Sequence, residues 1–167
     1  MNPSIDLVIE AGDWPDEALL TSWFEVAIQG AALTTDFNLR HGEISVVLTD
    51  DAAMQAINKE HRGQDKPTNV LSFPALESSM LAGLDGKRPF LLGDLVFALQ
   101  TVKREAEAGQ ISLHHHMSHL IVHGFLHLLG YDHDQDLQAE AMEALETRIL
   151  ASLGIADPYR NGAQTNV

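Results

Sequence analysis

Residues 43–63, EISVVLTDDAAMQAINKEHRG, hold a complete strand–helix unit. The β-branched run Glu43–Thr49 favours extended backbone, Asp50 or Asp51 can cap the helix DAAMQAINKEHR, and Gly63 supplies a left-handed exit. The same alternation recurs on both sides. Toward the N-terminus, Ile5–Glu10 reads as a strand, and Trp14–Pro15–Asp16 opens an amphipathic helix to about Ala31, with Pro15 suited to its first turn. Toward the C-terminus, Asn69–Phe73 is a short strand stopped by Pro74, and Leu91–Leu99 is another. The loop between them, holding Gly83, Gly86 and Pro89, is expected to be mobile. Helices are expected over about Gln100–Ala108, Ser112–Leu129 and Leu137–Leu153. The pattern predicts an α/β (α+β) fold: one domain over 1–157 with a small mixed sheet packed by helices, then a polar, frayed tail over 158–167.

The length of 167 residues suits one domain, and 45% hydrophobic with 20% charged residues excludes a disordered or fibrous chain. No apolar run is long enough to span a membrane, and the start MNPSIDLVIEAGDWPDE lacks the basic and apolar regions of a signal peptide. A cytoplasmic protein with no membrane partner is expected. Without cysteine there is no disulfide or thiolate, so any metal must be held by imidazole or carboxylate. The net charge of −14 opposes a nucleic-acid partner at first sight. Its distribution qualifies that: residues 1–58 hold one basic and ten acidic residues, 59–104 seven and five, and 105–167 two and nine. Lys59, Arg62, Lys66, Lys87, Arg88, Lys103 and Arg104 can therefore form a local phosphate-binding face, the alternative being scattered solvated charge.

Three of the nine histidines fall in one stretch, HGFLHLLGYDH at 123–133. On a helix, His123 and His127 lie about 40° apart around the axis and about 6 Å apart along it, so both imidazoles can reach one metal. Gly130 lets the chain turn back and return His133 as a third ligand. Three protein ligands leave a position open for water, as in a catalytic rather than a structural zinc site, although nickel, copper and iron also accept imidazole. The alternative is that His123 and His127 are polar members of a buried helix and His133 caps a turn. The spacing is also that of the metzincin peptidases, whose general base is the Glu after the first His. Gly124 stands there, which disfavours a peptidase mechanism. His119, one turn before His123, is placed to orient a ligand or contact substrate, and His114, His115 and His116 read as the solvated start of the helix. Asp132 and Asp94 are carboxylates that could stand behind a ligand imidazole.

HGFLHLLGYDH resembles the signature of the YbeY family, the single-strand endoribonucleases of bacterial ribosomal RNA maturation. NKEHRGQDKPTNVLSFP at 58–74 and LGDLV at 92–96 resemble two further motifs of that family, in the same order, so the likeness spans about 43–134. The resemblance implies a zincin-like metal-binding helix and turn, with His123, His127 and His133 binding one Zn2+ and Arg62 required for ribonuclease activity. It implies single-stranded RNA and ribosomal RNA as substrates, in 16S rRNA 3′ end maturation and ribosome quality control. Its implied partners are the small ribosomal subunit and assembly factors such as an Era-type GTPase. Ser72 and Thr68 could offer hydroxyls to RNA and Phe73 or Phe90 a stacking face, against ordinary strand, turn and core roles. Asn69 departs from the Asp frequent in the family, and Lys59 and Glu60 from more hydrophobic residues. The alternatives are a metal-dependent hydrolase of another bond and a non-enzymatic ribosome-assembly module with structural zinc.

Overall fold

The computed structural model describes residues 2–132 and 135–159. Strand β1 (Ser4–Ile9) runs parallel to β2 (Gly42–Thr49), which runs parallel to β4 (Phe90–Ala98), while β3 (Val70–Pro74) lies antiparallel to β4. The order β1-β2-β4-β3 makes the sheet mixed, as expected, and leaves β3 at an edge. Parallel neighbours need crossovers. Helix α1 (Glu17–Ala32) joins β1 to β2, and α2 (Asp51–Arg62) leads from β2 to β3. A single turn, α3 (Ser78–Leu81), precedes β4, and α4 (Leu99–Ala108), α5 (Leu113–Leu128) and α6 (Asp136–Ser152) follow it.

Side chains alternate across the sheet, so each strand feeds two cores. Ile44, Val46, Leu48, Leu95 and Phe97 join the main core with residues of α1, α5 and α6. Val47, Leu71, Phe73, Val96 and Ala98 point the other way, to Met54 and Ile57 of α2. Every residue of α5 from His116 to Leu126 is buried, as a helix packed on all sides must be. Its apolar side chains fill the main core, which leaves its histidines in surroundings where each polar nitrogen needs a partner.

Local chemistry sets the element ends. The Asp50 side chain accepts from the Ala53 N–H at 2.9 Å and caps α2. Asp51 instead accepts from the Thr101 N–H and hydroxyl and from Arg104, tying the start of α2 to α4. Gly63 ends α2 with φ +69°. Asp16 caps α1, so Pro15 precedes the cap rather than occupying the first turn. The loop expected to be mobile holds α3, whose Leu81 is fully buried in the main core. A leucine plug anchors that segment at its middle.

Candidate functional site

Helix α5 lies directly on the sheet because Gly124 has no side chain. A Cβ there would stand 2.9 Å from Leu95 Cδ2 and 3.3 Å from Ser72 Oγ. This close seating puts His123 and His127 beside edge strand β3. At the helix end, Gly130 takes φ +97°, the left-handed exit expected of it, and a Cβ would come within 2.2 Å of Ser78 Oγ. The turn after α5 therefore rests on α3.

The two imidazoles converge, with Nε2 atoms 2.9 Å apart. Their other ring nitrogens are engaged: His127 Nδ1 donates to the Tyr131 carbonyl at 2.9 Å, and His123 Nδ1 donates to the buried Glu146 carboxylate. A carbonyl and an ionised carboxylate only accept, so both Nδ1 atoms carry the proton. Both Nε2 lone pairs then face one another, an arrangement that a shared cation or proton must reconcile. Protein metal sites orient imidazole ligands through the second nitrogen in this way. No further His, Asp or Glu completes a metal-binding group with this pair among the described residues, and His133 lies outside them.

Behind the pair sits a network that local motifs do not reveal. Glu146 on α6 also accepts from the Tyr159 hydroxyl at 2.5 Å, and that hydroxyl lies 3.1 Å from His119 Nε2. Burial would raise the Glu146 pKa, but the hydrogen bond from His123 and the nearby His119 imidazole outweigh it and hold the carboxyl at about 2. Burial and the adjacent Glu146 charge push the Tyr159 phenol above its usual range. Tyr159 belongs to the segment read as a polar tail, and Glu146 is 23 residues from the imidazole it orients. His119, 2% exposed, faces this network rather than solvent.

Arg62, the last residue of α2, lines a cleft of about 380 Å³ together with His123, His127, Ser72 and Asp132. The structure thus brings Arg62, His123, His127 and Asp132 to one place. Asp94 is not there: its neighbours Leu95 and Phe97 face the main core, so alternation puts Asp94 on the α2 face, away from the histidines. Thr68, Phe73 and Phe90 do not line the cleft either; Phe73 packs edge-on to His61 and into the smaller core, and Phe90 packs on the main one.

The seven basic residues do not gather into one set. Arg104 pairs with Asp51 at the start of α2, roughly 16 Å of helix from Arg62 at its end, and Lys59 pairs with Asp65. His116 corrects the expectation of a solvated helix start: it is fully buried, 2.9 Å from Glu105 Oε1. The same oxygen accepts from Asn69 Nδ2 at 2.9 Å. An amide at position 69 donates to Glu105 where a carboxylate would repel it, which accounts for Asn69. A larger hollow of about 910 Å³ lies at the starts of β1, β2 and β4, but it holds neither convergent histidine.

Residues 10–154 match the sequence profile of the family described as Endoribonuclease YbeY. The chain is 50% identical over 157 residues to an endoribonuclease YbeY of Bradyrhizobium sp., covering 94% of this chain and 92% of that one. It is 51% identical over 165 residues to the protein of the same description from Sinorhizobium medicae, covering 93% and 94%. A Thermotoga maritima protein solved in solution shares the fold, with a TM-score of 0.54 at 21% identity over 93% of this chain and 99% of that one.

Proposed function

Because the chain belongs to the endoribonuclease YbeY family, we propose that it is a zinc-dependent endoribonuclease that cuts single-stranded RNA in the cytoplasm during ribosomal RNA processing. The setting inferred from the family is 16S rRNA 3′ end maturation and ribosome quality control, with the small ribosomal subunit and an Era-type GTPase as partners. The supporting observation is the facing pair of Nε2 atoms, each presented by a hydrogen bond at the opposite ring nitrogen, in a cleft that Arg62 also lines. This donor set suits zinc. His123 and His127 would hold the ion, with His133 as third ligand. Bound there, zinc supplies Lewis-acid activation of water or of a phosphoryl oxygen.

The remaining work falls to the chain's own groups. Glu146 and the Tyr131 carbonyl hold the two imidazoles in the tautomer that presents Nε2. Arg62 offers a planar fork of donors to the scissile phosphate and offsets charge that develops on its oxygens. A cleft of about 380 Å³ is the size of a small-molecule pocket, room for a nucleotide. The peptidase alternative loses ground on packing: the position of its general base is Gly124, where even a Cβ meets Leu95.

The deciding experiment incubates purified protein with end-labelled single-stranded RNA, before and after metal stripping and zinc return, alongside His127→Ala. Cleavage should disappear on stripping, return with zinc and be absent in the variant. Cleavage indifferent to all three treatments would overturn the reading.

A further inference from the structure

Strand β3 is the edge of the sheet, and its register decides which backbone groups meet the cleft. The Ala98 N–H donates to the Asn69 carbonyl, and the Ala75 N–H to the Leu92 carbonyl. With the pairing Leu71↔Val96 and Phe73↔Asp94 between them, the odd-numbered residues of β3 direct their amides and carbonyls to β4. Val70, Ser72 and Pro74 direct theirs to the open side, and those three residues line the cleft beside Arg62 and the histidines. The Val70 N–H is already taken by Asn69 Oδ1 at 2.7 Å, and Pro74 has no N–H. Ser72 therefore presents the one complete outward pair on this strand, an N–H donor and a C=O acceptor.

We propose that this backbone pair of Ser72 binds the Watson–Crick edge of an unpaired base next to the scissile phosphate, and so selects single-stranded RNA. The inference rests on the ribonuclease reading of the site. Each of the four bases carries a donor beside an acceptor on that edge, so a backbone N–H and C=O can engage any of them without reading sequence. In a duplex those atoms are consumed by pairing. An unpaired base is thus the substrate feature that satisfies the edge, while Arg62 takes the phosphate.

The test uses the full-length zinc-loaded protein and one single-stranded oligomer. Single N1-methyladenosine or N3-methyluridine substitutions, which block the Watson–Crick edge and keep ribose and phosphate, are scanned across it. A block at one or two positions flanking the cut should lower kcat/KM by about tenfold, and blocks elsewhere should leave it unchanged. Ser72→Pro, which deletes the outward N–H and leaves the β4 ladder intact, should weaken cleavage of the unmodified oligomer and abolish the extra penalty of the block. Equal kcat/KM at every blocked position would overturn the proposal while the ribonuclease reading stands. Failure to cut the unmodified oligomer would overturn that reading and the proposal with it.

Discussion

Glu146 and Tyr159 show how residues far along the chain fix the orientation of the histidines. Glu146→Gln keeps the shape and loses the charge that orients His123, so zinc affinity should fall by about 10–100-fold. Titration calorimetry reads it, and wild-type affinity in the variant would show that Glu146 only fills space. Arg62→Ala should do the reverse, lowering cleavage by about 10²–10³-fold while zinc binds as before. The residues that local spacing predicts are those whose relationship is local: His123 and His127 share a helix face one turn apart. Glu146 was hidden for a physical reason. Glu140, Glu143 and Glu146 recur along α6, and only packing against α5 buries the last of them completely. His116 likewise reads as one of three polar histidines until Glu105 is brought across from α4.

Among the elements, α5 carries the strongest constraint, because its contact with the sheet has no slack at Gly124. Gly124→Ala should cost about 1–3 kcal/mol through overpacking, lowering the melting temperature by several degrees and loosening the His123–His127 pair. An unchanged melting temperature would mean that Leu95 moves aside freely. The strands and long helices were legible because their period and caps are local; α2 is capped by Asp50 and Gly63 as their chemistry requires. Helix α3 was not, since SSML is too short to show periodicity and its order comes from Leu81 reaching the core. The side of the sheet on which Asp94 falls was equally invisible, because it depends on the register with β2 and β3.

For the whole molecule, electrostatics and chain order matter most. Arg62 is the only Lys or Arg lining the cleft among the described residues, in a chain of net charge −14. RNA binding should therefore depend shallowly on salt, with a log–log slope of about −1, and a slope steeper than about −3 would show that other basic residues engage the strand. Acid should act through the buried network. The Glu146 carboxyl sits at about 2 against an ordinary 4.5, so its stabilising contribution is complete above pH 4.5 and is lost as the pH falls toward 2. Metal-free wild-type protein should lose stability across that window more steeply than Glu146→Gln, as measured by urea unfolding; parallel curves would assign the acid limb to other groups. The order of the network along the chain also bears on synthesis. The histidine helix leaves the ribosome before the segment carrying Glu146 and Tyr159, so a nascent chain exposes His123 before Glu146 can orient it. A product truncated after α5 should therefore lack the carboxylate that orients His123.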